Sequence, residues 1–175
     1  NLLFTAGFFS ESATNHETKV AKQEALSSIA RQSFEYLNTH SAVVPVVFAV
    51  SLLEDDSLFN AGIGSQIQGD GKIRMSASLM DGETEKFSGV INIEEVRNPI
   101  FVAHQLMPFD DRVLGGSGAT NFARLCGFEQ FSTEIPQRKL EYERKLKASG
   151  KGTVGCVAID KNGKLAAATS TGGKG

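Results

Sequence analysis

Gly152-Thr153-Val154-Gly155-Cys156-Val157-Ala158-Ile159-Asp160 sets a threonine between glycines at the head of an apolar run. The run reads as a buried strand, and Asn162-Gly163 turns it into a second one, Leu165-Ala166-Ala167-Ala168-Thr169-Ser170-Thr171. A threonine hydroxyl is a poor nucleophile until a base lies beside it, and no histidine is near in sequence. Cutting the chain before the threonine supplies one, because the freed α-amine then acts as the base. That amine titrates at about 7.7–8.0, so much of it is neutral at working pH. Gly152 suits the cut, since it tolerates unusual backbone angles and leaves room at its carbonyl. Taken alone, the same tetrapeptide would also open an ordinary core strand, because short motifs match by chance.

Three further segments stand in order with it. They are Leu53-Glu54-Asp55-Asp56-Ser57-Leu58-Phe59-Asn60-Ala61-Gly62-Ile63-Gly64, then Ala77-Ser78-Leu79-Met80-Asp81-Gly82 with Gly89-Val90 and Val96-Arg97-Asn98-Pro99, and finally Thr169-Ser170-Thr171-Gly172-Gly173. Together these residues resemble the plant-type L-asparaginases, which are also isoaspartyl peptidases. The resemblance covers residues from about 42 to the C-terminus and is weaker before that. Members of that family are N-terminal-nucleophile hydrolases, made as precursors that cleave themselves before the threonine.

Composition sets modest bounds. The 175 residues are 41% hydrophobic and 22% charged, which suits one globular domain with a real core. A net charge of -2 gives no overall attraction for nucleic acid or anionic lipid. The longest apolar stretch, Ala42 to Leu53, is too short to span a bilayer, and Asn1-Leu2-Leu3-Phe4 lacks the basic start of a secretory signal. Cys126 and Cys156 read as buried free thiols of a reducing compartment, so a cytoplasmic location is expected.

The chain alternates helix and strand. Thr14-Asn15-His16-Glu17 resembles a capping box, opening a helix whose apolar face carries Val20, Ala21, Leu26, Ile29, Ala30, Phe34 and Leu37. Ser41 is expected to cap a second helix reaching about Leu53, with Pro45 near its first turn. Gln66-Ile67-Gln68 and Ile73 to Leu79, joined by Gly69-Asp70-Gly71-Lys72, are expected to form a hairpin. Gly89 to Ile93 reads as a strand, Asn98-Pro99 as a helix start, Val113-Leu114 as a brief strand, and Ser117 to Leu125 as a helix stopped by Gly127.

Residues 137–151 are basic, with Arg138, Lys139, Arg144, Lys145, Lys147 and Lys151 against Glu141 and Glu143. A solvated helix and linker is the expected reading, because only Tyr142 is available to stack on a base. His16, His40 and His104 are scattered without zinc spacing, and Asp55-Asp56 do not follow an EF-hand pattern. Gly172-Gly173-Lys174-Gly175 lacks the elements of a phosphate loop, and Gly115 to Gly118 reads as a tight strand-to-helix turn.

The resemblance carries further implications. It implies an α/β fold of the αββα four-layer sandwich type, forming one domain. Residues 1–152 are then the α-subunit-like part, with the basic linker at 137–152, and 153–175 begin the β-subunit-like part. Gly152-Thr153 is the implied cleavage point, Thr153 the nucleophile, Thr171 the residue that orients its hydroxyl, and Asn60 a polar support. Backbone carbonyls of Leu53, Glu54, Asp56, Phe59, Ala61 and Ile63 match a loop that holds a structural sodium ion; no cofactor serves the catalysis itself. Implied substrates are small molecules, L-asparagine and β-aspartyl dipeptides. After cleavage the implied assembly is an α/β heterodimer and a dimer of these, with no nucleic acid and no membrane as partner.

Two departures qualify this. Phe4-Thr5-Ala6-Gly7-Phe8-Phe9 stands where the family has His-Gly-Gly-(Gly)-Ala-Gly, so an Ala-Gly pair alone is shared. In the family, more than about a hundred residues follow the Thr-Ser-Thr-Gly-Gly turn; they bind the substrate's α-carboxylate and α-amine and complete the oxyanion hole. The expectation is that residues 1–175 alone hydrolyse little and that half the sandwich lies outside them. Two readings stay open: a self-cleaving amidohydrolase precursor, or a catalytically incomplete relative acting as a folding or binding partner.

Overall fold

A computed structural model describes residues 2–6, 16–145 and 153–172. Six strands form one mixed sheet in the order β1-β5-β6-β2-β3-β4, comprising β1 (Leu2–Ala6), β2 (Met75–Asp81), β3 (Lys86–Ile93), β4 (Val113–Gly115), β5 (Val154–Ile159) and β6 (Leu165–Thr171). All neighbours are antiparallel except β3 and β4. The helices are α1 (His16–Leu37), α2 (Val43–Glu54), α3 (Pro99–Leu106), α4 (Gly116–Leu125) and α5 (Pro136–Lys145).

The β5–β6 hairpin forms at Asn162-Gly163 as the sequence predicts. Asp160 closes the turn: its Oδ1 accepts from the Asn162 and Lys164 N–H groups at 2.8 and 2.9 Å. Gly163, at φ +76°, takes the left-handed conformation that glycine adopts at least cost. Alternation then sends Val154, Cys156, Ala158, Ala166, Ala168 and Ser170 to one buried face. Their small size lets α2 approach the sheet closely, and α2 in turn is covered by α1. This explains why α2 is apolar on all sides, with Val46, Val47, Ala49, Val50 and Leu53 all buried. Helices α3 and α4 continue the layer over β2 and β3.

The opposite sheet face is open among the described residues. Val157, Met80, Phe87, Ile91, Val113 and Leu165 are 37–53% exposed, a row of large apolar groups on one surface. A layer of helices therefore covers one face of the sheet among the described residues. Among the described residues no helix is long and apolar enough to cross a membrane.

Several local expectations change. Residues 66–68 do not pair with β2, whose two edges are taken by β3 and β6. The 68–72 turn still forms, through the Gln68 N–H to the Lys72 carbonyl at 2.8 Å, but it leads into β2 from a loop. Helix α2 starts at Val43 with Ala42 as its cap, and Ser41 makes no side-chain capping bond there. On α1 the buried positions are Lys22, Ile29, Ser33 and Leu37, whereas Phe34 is half exposed and Val20 exposed, so the stripe is rotated from the expected face. Thr14 and Asn15 of the expected capping box lie outside the described residues. Cys156 is buried, which pushes its thiol up to about 12, but Cys126 is exposed at the end of α4. The Gly115–Gly118 segment is the tight turn expected, passing from β4 into α4 with Gly116 at φ +51°.

Candidate active site

The β5–β6 register ends one residue short of Thr153, and extending it by that residue brings the two threonines together. Val154 pairs with Ser170 and Gly155 with Thr169, so Thr153, one residue earlier, faces Thr171 at the mouth of the hairpin. Opposed residues on antiparallel strands have Cα atoms about 4.5–5.5 Å apart, within reach of two hydroxyls. Thr171 is paired on its other side with Ser76 of β2. Thr153 is exposed and Thr171 half buried, on the sheet face that bears no helices. Gly152, the other half of the expected cleavage point, lies outside the described residues, as do residues 146–151 of the expected tether and Gly173.

The hydroxyl row on that face extends further than the sequence reading identified. Thr169 donates its Oγ1 hydrogen to the Val154 carbonyl at 2.9 Å, holding the first residue of β5 beside β6. Ser76 accepts from the Asn92 N–H at 3.1 Å. The signal was the alternation Ala167, Thr169, Thr171, which puts both threonines on one face. A groove of about 510 Å³ runs along the hairpin, lined by Thr153, Val157, Thr169, Ser78, Met80 and Phe87 among others. None of its lining residues is charged.

The loop after α2 docks on the end of β6. Gly172 donates its N–H to the Asn60 carbonyl at 3.1 Å and accepts from the Gln66 N–H at 2.8 Å. Asn60, nearly fully buried, therefore sits one residue beyond Thr171. The bracket is tight, because a Cβ on Gly172 would overlap the Ser65 side chain. Leu53 and Glu54 at the end of α2 and Phe59 and Ala61 of the loop are buried, and Asp56 and Ile63 partly so. A Cβ on Gly62 would overlap the Glu54 carbonyl, and one on Gly64 the Phe59 carbonyl.

The Glu54 side chain is a feature the sequence reading missed, since it singled out only the carbonyl. Its carboxyl is fully buried, and Oε1 accepts from the Ile100 N–H at 3.1 Å. It thus satisfies an N-terminal amide of α3, whose preceding Asn98 turns its side chain instead toward the Ser51 carbonyl and Asp55. Burial pushes the Glu54 carboxyl up to about 8, against the opposing pull of the Ser170 hydroxyl, the Ile100 N–H and Asn98. The folded state thus holds this proton more tightly than the unfolded chain, where an ordinary value near 4.5 applies. The resulting stability is complete below about 4.5 and is lost as pH rises toward and through 8. Glu54→Gln, neutral throughout, should flatten that slope. Urea midpoints at pH 5 and pH 8 check it: a parent protein equally stable at both would show that the carboxyl does not titrate in this window.

Comparison with known proteins gives the family. A hairpin that brings two threonines together, with a glycine-rich loop locked on its end, defines a threonine-bearing α/β chain. The asparaginase family model matches residues 2–148 and 130–175, and the chain belongs to that family. It is 41% identical over 172 residues to an isoaspartyl peptidase/L-asparaginase of Synechocystis, covering 87% of this chain and 52% of that protein. It is 37% identical over 188 residues to the isoaspartyl peptidase of Escherichia coli, covering 96% and 59% respectively. A plant-type L-asparaginase of Pyrobaculum calidifontis is 37% identical over 178 residues, covering 92% and 59%. The chain thus spans between half and two thirds of the length of these relatives.

Proposed function

We propose that this protein hydrolyses L-asparagine and β-aspartyl dipeptides with Thr153 as an N-terminal nucleophile, released when the chain cuts itself at Gly152-Thr153. The observation that carries this is the exposed Thr153 at the head of β5, opposite Thr171 by register. In maturation, the Thr153 Oγ attacks the Gly152 carbonyl carbon, and the C–N bond breaks as the acyl group moves to oxygen. Water then hydrolyses the ester, leaving a Gly152 carboxylate and a free Thr153 amine. In turnover that amine takes the hydroxyl proton while Oγ attacks the substrate's side-chain amide carbon. Ammonia or an amino acid departs with a proton, and water resolves the acyl ester to aspartate. Thr171 orients the hydroxyl, and Asn60 is a polar support held beside it by the Gly172 bracket.

Two other features support the family architecture. A second sheet laid on the open face would bury the apolar row from Leu165 to Val113 and complete an αββα sandwich, with heterodimers and their dimers as the assembled form. The carbonyls of Leu53, Glu54, Asp56, Phe59, Ala61 and Ile63 suit a hard cation such as sodium, since they are neutral oxygen donors at the end of α2 and on the short, largely buried loop that follows it. Side chains are excluded where the Glu54 and Phe59 carbonyls face glycine, and the Asp56 and Ala61 carbonyls accept one turn N–H each and keep a second lone pair. A bound cation would supply charge that fixes these dipoles and the loop. The open apolar face also favours the second reading, a folding or binding partner without turnover.

Intact mass of the protein produced from its own gene tests the proposal. Incubation should yield a new chain whose N-terminal sequence is Thr153-Val154-Gly155, with ammonia released from asparagine. A protein that stays uncut and releases no ammonia leaves the partner reading in place.

A further inference from the structure

Of the described side chains of α5, Arg138 alone is buried, in a segment whose composition predicts a solvated helix. Its guanidinium reaches across the chain to the loop after α2. Nε donates to the Gly64 carbonyl at 2.9 Å, Nη2 to the Ser57 carbonyl at 3.5 Å, and Nη1 to Glu141 at 2.7 Å. Tyr142, one turn on, donates its hydroxyl hydrogen to the Gly69 carbonyl at 3.2 Å. We propose that Arg138 is a positioning residue that fastens the segment leading to Thr153 onto the back of the 57–66 loop, and so sets the place of Gly172 and Thr171.

The loop is held from two sides. On the front, the Asn60 carbonyl accepts from the Gly172 N–H and the Gln66 N–H donates to the Gly172 carbonyl. On the back, Ser57 and Gly64 are gripped by one planar fork. Between them the turn bonds from Phe59 to Asp56, Gly64 to Ala61 and Ser65 to Gly62 make the loop a stiff body, so displacement at the back is transmitted to the front. Burying a cation is unfavourable unless it is fully partnered, and Lys22 of α1 adds like charge close by. Glu141 and the loop carbonyls are therefore what keep Arg138 in this seat. A lysine, with a point charge and no fork, holds one carbonyl but not both.

The functional consequence rests on the catalytic reading of Thr153; the mechanical link does not. The test uses the gene-encoded protein made uncuttable by Thr153→Ala, with hydrogen exchange followed by mass spectrometry. Adding Arg138→Ala should speed exchange at Gln66 and Gly172 roughly tenfold or more, the scale of losing bonds donated by a charged group. Arg138→Lys should fall between, and decides the matter in the same way if the alanine variant does not fold. Faster exchange confined to α5, with Gln66 and Gly172 unchanged, overturns the link. With Thr153 restored, Arg138→Lys should also slow the appearance of the chain beginning at Thr153, and an unchanged rate overturns the positioning role. A parent protein that never cuts sinks the catalytic reading instead, while the exchange result still decides the link.

Discussion

Thr153→Ala is expected to leave the protein a single uncut chain, with asparagine turnover lower by roughly four orders of magnitude or more, the scale of losing a nucleophile. Alanine keeps the backbone and the strand start but removes the one atom that, in the proposed mechanism, attacks twice, first the Gly152 carbonyl and then the substrate amide. Folding should change little, because the side chain is exposed and the strand register is held from Val154 onward by the Thr169 hydroxyl and the β6 ladder. Thr153→Ser retains a hydroxyl on a less restrained side chain and should cut slowly but detectably. Intact mass over time and ammonia release read both variants. Cleavage that persists in the alanine variant would implicate an external protease and remove the nucleophile from the mechanism.

Gly62→Ala is expected to lower stability by about 3 kcal/mol or more. Gly62 lies at φ +53°, where a side chain is unfavourable, and the new methyl group would overlap the Glu54 backbone carbonyl. Neither group yields easily: Glu54 ends α2 with its carboxyl tied to the start of α3, and Gly62 opens the 3₁₀ turn Gly62–Gly64. The loop must therefore move, taking with it the Asn60 and Gln66 contacts that fix Gly172. Urea denaturation should show a lower midpoint, and the rate of self-cleavage should fall with it. A midpoint within the error of the parent protein would mean that the loop has slack, and the argument that it positions Thr171 would fail.

Much of the fold was legible because neighbouring residues in sequence dictate it. The Asn162-Gly163 turn between two apolar runs, the Asn98-Pro99 helix start and the Val113-Leu114 strand are local signals, and each appears at its expected place. The hairpin turn and the parity of two strands are enough to pair Val154 with Ser170, the step next to Thr153 and Thr171. Where the reading failed, distant parts of the chain compete. The Ile73 to Leu79 alternation correctly marked a strand, but its partner was chosen by which edges the sheet offered, so β3 and β6 displaced residues 66–68.

By itself, then, the sequence determined the α/β alternation, the threonine hairpin and, through ordered motifs, the family. Tertiary structure alone decided which groups enter the interior. Arg138 reads as one more surface charge in a basic run, yet carbonyls 74 and 81 residues away in sequence draw it in. Glu54 reads as a loop acid, yet it is sealed beneath α3 with its proton held by burial. The physical reason is common to both. Periodicity reports what an element's own residues prefer, whereas burial of a charge depends on partners that only the folded chain brings within hydrogen-bonding distance.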